Sequence, residues 1–303
     1  MIPIHHPPAH AAPGLHLRQE GEGAPVLCLH SSGATGNQWR SFFDTMQPAG
    51  LFQRFSEPVR LLAPDFHGHG RSGAWPSGET SHLRVDGEAA ARLLPAWPRG
   101  VHLVGHSYGG AVALWLAMRY PERVRSLALY EPVAFNLLRE TEHDAGRAEA
   151  TAIGQLIVAM VRAGRLHAAA RVFTEYWSGG DGWSAMSATQ QNAVVERMDA
   201  VRRHFEALDV TDWDTEALAR MRVPVLLLEG EHTRAPTRRI VDVLAGLWPQ
   251  ARRHRVGGAG HLGPITHAGA VARLIAGHVH EAVQVSRAEM ARHWPASTRE
   301  VMA

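Results

Sequence analysis

The chain has almost no cysteine, and it contains no long apolar run. Cys28 is the single cysteine among 303 residues, so an intrachain disulfide is excluded. It lies within an apolar run at 25–29, which predicts a buried small hydrophobic side chain rather than a reactive thiol. No stretch approaches the roughly 20 apolar residues that a membrane span needs, so we expect no membrane partner.

Lysine, basic blocks and metal-binding spacings are also missing. All 31 residues counted as Lys or Arg are Arg, the formal net charge is only +2, and the basic residues form no block, so we expect no nucleic-acid partner. The 20 His are scattered, without a His-Glu-x-x-His motif or a Cys/His cluster, so we predict no metal site and no cofactor. The first residues lack the pattern of a signal peptide, and we expect a cytoplasmic protein.

Short apolar runs alternate with helix-like stretches through most of the chain. This alternation occupies 15–131 and resumes at 215–285, and it predicts one α/β core domain with a parallel sheet. Ligands bind at the carboxyl ends of the strands in such sheets. The last residues, 286–303, are expected to form a surface helix or tail.

The alternation stops between 132 and 214. Three amphipathic stretches, at 148–163, 166–177 and 190–208, follow one another without a strand candidate, which predicts a helical cap inserted over the site. Its aromatic residues are candidates for an apolar acyl pocket, although we expect only two or three to touch a ligand and the others to form the core of the cap. The substrate-binding candidates are Phe135, Phe173, Trp177 and Trp183, with Met186 and Phe205 as further possibilities.

A Gly-x-Ser-x-Gly pattern at 105–109 joins an apolar run to a helix-like stretch. Such a turn is tight, so the positions two before and two after the serine must lack a side chain. Ser107 would then stand at the tip of the turn, beside the free N–H groups of a helix N-terminus. We predict that Ser107 is a nucleophile; the alternative is a glycine-rich turn without chemistry.

Two other loops supply candidate partners for Ser107. The small residues at 30–36 follow an early apolar run, and we propose the N–H groups of Ser32 and Tyr108 as the two donors of an oxyanion hole. His261 lies in a glycine-rich loop after the last strand candidate. From there its ring can project toward Ser107, and we predict that it is the general base. The alternative for the 30–36 loop is a turn without a binding role. The alternative for His261 is a histidine that lies in a loop without a catalytic role.

The motifs at 30–33, 65–72, 105–110 and 260–264, with the helical insertion between them, resemble the α/β-hydrolase superfamily in their order along the chain. The resemblance covers nearly all of 15–285. It implies an α/β-hydrolase fold with a mostly parallel sheet of eight strands, flanked by helices. It also implies that nucleophile, acid and histidine follow in that chain order.

One position departs from the pattern of this superfamily. Thr233 stands where the superfamily commonly has the aspartate that orients the histidine, and a threonine cannot supply a negative charge. Some members, including some haloalkane dehalogenases, carry the acid at the end of the strand after the nucleophile helix. That position is Glu131 here, and we predict it as the acid, with Glu231 as the alternative. A weak or inactive enzyme is a third outcome.

The resemblance and the serine together favour hydrolysis of a carboxylic ester or thioester through an acyl-enzyme. The substrate is expected to be a small to medium, largely apolar molecule. A serine argues against dehalogenase and epoxide hydrolase chemistry, for which the superfamily uses aspartate. Carbon–carbon bond hydrolysis, lactonase, acyltransferase and perhydrolase activity stay open, as do a ligand-binding protein without catalysis and a homodimer.

Overall fold

The computed structural model describes residues 15–46, 58–138 and 145–293. Seven strands form one sheet in the order β1-β3-β2-β4-β5-β6-β7, with β1 antiparallel to β3 and all other pairs parallel. The strands are β1 (Leu17–Glu20), β2 (Ala24–Leu29), β3 (Val59–Pro64), β4 (Val101–His106), β5 (Val124–Tyr130), β6 (Val225–Gly230) and β7 (Arg252–Val256).

The central strands are apolar on both faces because helices cover both sides of the sheet. Every residue of β4 and β6 is buried. Leu27 and Leu103 belong to a core cluster on one face, whereas Val26 and Val104 belong to a separate cluster on the other. Each fully buried aliphatic side chain of this kind stabilises the fold by about 1.5–3 kcal/mol. The continuous apolar runs of the sequence therefore mark strands buried between two helical layers.

Eleven α-helices accompany the sheet in the described residues. They are α1 (Arg40–Met46), α2 (Leu83–Ala91), α3 (Tyr108–Arg119), α4 (Ala145–Arg162), α5 (Leu166–Ser178), α6 (Ala188–Glu196), α7 (Met198–Val210), α8 (Thr215–Ala219), α9 (Ala235–Leu247), α10 (Gly263–Thr266) and α11 (Ala268–His293). No described helix combines the length and the apolar content that crossing a bilayer requires.

Helices α4 to α7 follow one another between β5 and β6 and have an apolar cluster of their own. Ile157, Trp183 and Met198 are buried in it, apart from the two clusters that flank the sheet. The sequence predicts one helix over 190–208, whereas the structure has two, α6 and α7. The break falls at Arg197, which caps the end of α6 and precedes the first residue of α7.

The structure corrects the expected number of strands. The described residues form seven strands rather than eight. The edge strand β1 is joined to β2 by a three-residue connection but pairs with β3. A single strand therefore lies beyond β3 at this edge of the sheet. The segment 286–303, expected to form a surface helix or tail, begins within one continuous helix, α11, which runs from Ala268 to His293. Residues 294–303 lie outside the described residues.

Candidate active site

Ser107 occupies a sharp turn between β4 and α3. Its φ is 56°, a left-handed conformation that costs free energy for a residue with a Cβ. The two glycines of the motif are required by close packing: a Cβ on Gly105 would lie 2.5 Å from the carbonyl oxygen of Gly109, and one on Gly109 would lie 2.2 Å from that of Leu29. The turn therefore lifts the Ser107 hydroxyl above the end of the sheet, as predicted for this spacing.

His261 reaches Ser107 from the loop after β7. Its Nε2 lies 3.0 Å from Ser107 Oγ. The backbone of this loop is held by the ends of β4 and β5: the His106 ring is 2.8 Å from the His261 carbonyl oxygen, and the Tyr130 hydroxyl donates to the Gly260 carbonyl at 2.7 Å. Residues distant in sequence thus fix the imidazole against the hydroxyl.

Glu131, directly after β5, is fully buried and lies 2.8 Å from Nδ1 of His261 through its Oε2. Its second oxygen accepts the backbone N–H of Gly230 at 2.8 Å, and the Thr237 hydroxyl donates to Oε2 at 3.1 Å. Burial raises the pKa of the Glu131 carboxyl, but the hydrogen bond and the charge interaction with His261 outweigh burial, so the pKa is lower than usual. A charged carboxylate here favours the tautomer in which Nδ1 carries the proton and Nε2 can accept one from Ser107.

The sequence left Glu131 and Glu231 as alternative acids, and the structure brings only Glu131 to His261. Glu231 accepts the N–H of Gly258 at 2.7 Å and is exposed. Thr233, at the position where an aspartate is common, lies 2.8 Å from the Thr237 hydroxyl. That pair of threonines packs against the carboxylate of Glu131, so it occupies the space that an acid after β6 would fill.

Backbone strain is concentrated at the serine and the glutamate of this site. Within the described parts of the chain, Ser107 and Glu131 are the two non-glycine residues with positive φ, at 56° and 42°. Such conformations cost about 1–3 kcal/mol each and persist where the surrounding structure enforces them. The nucleophile candidate and the acid candidate both carry this cost.

In the loop after β2, the N–H of Ser32 has no acceptor among the described residues, while the N–H groups on either side of it do. Ser31 donates its N–H to the Gln38 side chain at 3.1 Å, Gly33 donates to Nε2 of His69 at 3.1 Å, and Ala34 donates to the Ser31 carbonyl at 3.2 Å. In the part of the chain that the structure describes, the N–H groups of Ser32 and Tyr108 donate no hydrogen bond. Two unsatisfied donors beside a nucleophile can hold the negative oxygen of a tetrahedral intermediate.

An apolar chamber of about 10 Å³ adjoins Ser107, barely enough for one water. It is lined by Ser32, Ser107, Val133, Phe135, Phe173, Trp177, Phe205 and Leu208. Three of the four predicted substrate-binding residues therefore face it, and the rings of Trp177 and His261 are 4.0 Å apart. Trp183 does not line the chamber, because it packs in the core of the cap against the ring of His167. Val133 and Leu208 were not predicted, since a single aliphatic residue carries no signal of its own.

A larger cavity of about 260 Å³ lies on the other side of two of these aromatic residues. Phe135 and Phe205 line both spaces. The floor of the larger cavity includes Gly154, where a Cβ would lie 3.2 Å from the Phe205 ring.

Comparison with known proteins identifies the family to which this fold belongs. A family model described as alpha/beta hydrolase fold matches residues 24–268, and the chain belongs to that family. It is 38% identical over 114 residues to a 2-hydroxymuconate semialdehyde hydrolase of Pseudomonas putida, covering 38% of each chain. It is 33% identical over 128 residues to a haloalkane dehalogenase of Agrobacterium fabrum, covering 41% of this chain and 37% of that one.

The matched segments span less than half of the length of these two relatives. Among solved structures, the enol-lactonase of Burkholderia xenovorans LB400 superposes with a TM-score of 0.68 at 20% identity, covering 88% of this chain and 96% of that one. At this level of identity the likeness shows the fold, and the α/β-hydrolase fold predicted from the motifs is confirmed.

Proposed function

We propose that the protein is a serine hydrolase that cleaves a carboxylic ester or thioester through an acyl-enzyme. One observation carries the proposal: Ser107 Oγ, the His261 ring and the Glu131 carboxylate form a continuous hydrogen-bonded chain with distances of 3.0 Å and 2.8 Å. Ser32, which lines the same chamber as Ser107, and Tyr108, which follows Ser107 in the chain, have N–H groups that donate no hydrogen bond within the described residues. This is the arrangement that acyl transfer from an ester requires.

In the first half-reaction, Ser107 Oγ attacks the carbonyl carbon while its proton passes to Nε2 of His261. Glu131 stabilises the imidazolium that forms, and the N–H groups of Ser32 and Tyr108 hold the oxyanion. As the intermediate collapses, the bond from carbonyl carbon to leaving group breaks, and His261 returns the proton to the departing alcohol or thiol. A water molecule then attacks the acyl-enzyme by the same route and releases the carboxylic acid and Ser107.

The lining of the chamber supports an uncharged acyl group. Apart from the two serines, the residues around the chamber are aliphatic or aromatic, and none of them carries a charge. A carboxylate beside Ser107 would lose its hydration without finding a cation, which is unfavourable. The proposed substrate is accordingly a small to medium, largely apolar ester, with its longer part extending past Phe135 and Phe205.

The second candidate is hydrolysis of a carbon–carbon bond. It is favoured by the likeness to the relative named 2-hydroxymuconate semialdehyde hydrolase, and the same serine, histidine and carboxylate could serve it. The uncharged chamber favours the ester, because that relative's named substrate is an anion. Direct comparison of the two substrate types separates the candidates.

The test is a series of p-nitrophenyl esters with acyl chains of two to ten carbons, offered to the wild type and to Ser107→Ala. We expect turnover that Ser107→Ala abolishes, with a preference for short and medium chains. In parallel, 2-hydroxymuconate semialdehyde should be turned over more slowly than the preferred ester. No turnover of any ester, or equal turnover by Ser107→Ala, would refute the proposal. Faster turnover of the semialdehyde would favour the second candidate.

A further inference from the structure

A second buried polar cluster adjoins the candidate active site and takes no direct part in the proposed reaction. It joins Asp86 on α2 to His204 on α7, and both side chains are fully buried. His204 Nδ1 lies 2.7 Å from Ser32 Oγ, and its Nε2 lies 3.3 Å from Asp86 Oδ2. The described residues contain no group of His, Cys, Asp and Glu placed to hold a metal ion, and we interpret this cluster as a hydrogen-bonding one.

The charges of this pair follow from its surroundings. Burial raises the pKa of the Asp86 carboxyl, but the neighbouring imidazoles of His204 and His67 more than offset it, and the pKa falls well below its usual range. Burial lowers the pKa of His204 more than Asp86 raises it. At neutral pH Asp86 is therefore ionised and His204 is neutral. Because Nε2 faces the carboxylate and carries the proton, Nδ1 accepts the hydroxyl proton of Ser32.

Tyr108 is bound to the same pair. Its hydroxyl donates to Asp86 Oδ2 at 3.0 Å, and its ring stacks on the His204 ring with centroids 3.5 Å apart and an angle of 4°. Asp86 is further held by His67, whose N–H and Nδ1 lie 3.2 Å and 2.7 Å from its Oδ1. The two residues whose N–H groups are free for an oxyanion thus both contact this pair: the Ser32 side chain contacts His204, and the Tyr108 side chain contacts both His204 and Asp86.

The cap contacts the Ser32 loop at a second point. Arg197, between α6 and α7, donates from its guanidinium to the Gly33 carbonyl at 3.0 Å. His204 and Arg197 therefore hold adjacent residues of the loop from the same part of the cap. The position of the Ser32 N–H depends on where α7 lies.

We propose that His204 and Asp86 are positioning residues for the oxyanion hole, which is complete only when α7 of the cap is docked on the core. The proposal rests on the proposed function, because it assigns the Ser32 and Tyr108 N–H groups to oxyanion binding. Neither His204 nor Asp86 lines the chamber around Ser107; they act through the two donors. The cap then contributes to catalysis through this contact as well as through the walls of the chamber.

The first test is His204→Phe, which keeps the ring stack on Tyr108 and removes both ring nitrogens. Losing an oxyanion donor typically lowers kcat by about 10²–10³, and a displaced donor should lower it by about 10–100-fold. KM should change little. Affinity for a trifluoromethyl ketone, which forms a tetrahedral adduct with the serine, should fall by the same factor as kcat. His204→Asn, whose amide lies near the position of Nδ1 and can bind Ser32, should recover part of the loss.

The second test is a double-mutant cycle with Ser32→Ala, which removes the hydroxyl and keeps the N–H. If His204 acts through Ser32, each single variant should lower kcat, and the double variant should be no worse than His204→Phe. A stabilising contact without a positioning role would lower the unfolding free energy and leave kcat of the folded protein unchanged. Ser32→Ala and His204→Asn carry the test if His204→Phe does not fold.

The matched control is His102→Phe. His102 is also fully buried and also bonds a serine, with its Nδ1 2.8 Å from Ser126 Oγ, but it lies at the start of β4, at the opposite end of the strand from Ser107. We expect it to lower stability and to leave kcat and inhibitor affinity unchanged.

Wild-type kcat in folded His204→Phe, or multiplicative effects in the cycle, would overturn the positioning role. These outcomes differ from failure of the proposed function, in which the wild type itself turns over no ester.

Discussion

This protein contains two neighbouring chains of interacting side chains, each made of a serine, a histidine and a carboxylate. The two histidines face their serines with different ring nitrogens. In one, His261 faces Ser107 with Nε2 and Glu131 with Nδ1. In the other, His204 faces Ser32 with Nδ1 and Asp86 with Nε2. Both histidines are buried, and both serines line the small chamber.

The difference between the chains lies in what surrounds them. Ser107 stands on a strained turn, whereas the Ser32 hydroxyl is held by the His204 ring, which is stacked on Tyr108. Burial lowers the pKa of His204, which makes it a weaker base. The comparison teaches that the three residue types are insufficient: a nucleophile also needs donors for the developing charge. The following predictions test this contrast, from the largest expected effect to the smallest.

The largest difference in kcat is expected between the variants that replace the serine of each chain. Ser107→Ala should lower kcat by about 10⁴–10⁶, because the nucleophile is lost and only binding and oxyanion contacts remain. Ser32→Ala should lower it far less, since it keeps the N–H. Steady-state kinetics on one ester measures both. Equal losses in the two variants would mean that the chains are not distinct in function.

The carboxylates should also differ. Glu131→Gln should lower kcat by about 10⁴, because an amide favours the wrong tautomer of the histidine. Glu231→Gln, the matched control, should change it little, since Glu231 lies away from His261. Adding Thr233→Asp to Glu131→Gln should recover part of the activity by supplying a carboxylate from the end of β6. A large loss in Glu231→Gln alone would reverse the assignment of the acid.

Much of this site could be predicted from the sequence, because its motifs are local. The spacing of Gly105, Ser107 and Gly109 defines the turn, and the resemblance directs attention to Glu131. The Ser32 to His204 contact spans 172 positions and leaves no motif. A signal was present, since Asp86 and His204 stand at helical spacing among apolar residues, where buried polar residues need partners. The sequence could not show that these two meet.

Asp86 should contribute more to stability than Glu131 does. Asp86→Asn leaves His67 and Tyr108 without a charged acceptor in a fully buried site, and we expect it to lower the unfolding free energy by about 3 kcal/mol. Glu131→Gln should cost less, because the amide oxygen can still accept the N–H of Gly230. Urea unfolding at neutral pH measures both. A more stable Asp86→Asn would show that the buried pair opposes folding.

Stability should fall as the pH is lowered from 7 toward 4. Burial lowers the pKa of His30 to about 4 and also lowers those of His69 and His204. Between these values and the unfolded value of about 6.5, the unfolded chain binds more protons, so each such group costs up to about 1.4 kcal/mol per pH unit. His204→Phe should make the dependence shallower, as followed by urea unfolding at several pH values. A flat profile would contradict the assignment of neutral buried imidazoles.

The most direct test of the central claim is to treat the folded protein with a fluorophosphonate and to locate the adduct by peptide mass spectrometry. We predict one adduct, on Ser107, that is absent in Ser107→Ala and forms slowly in Glu131→Gln. An unlabelled wild type, or an adduct on Ser32, would contradict the account.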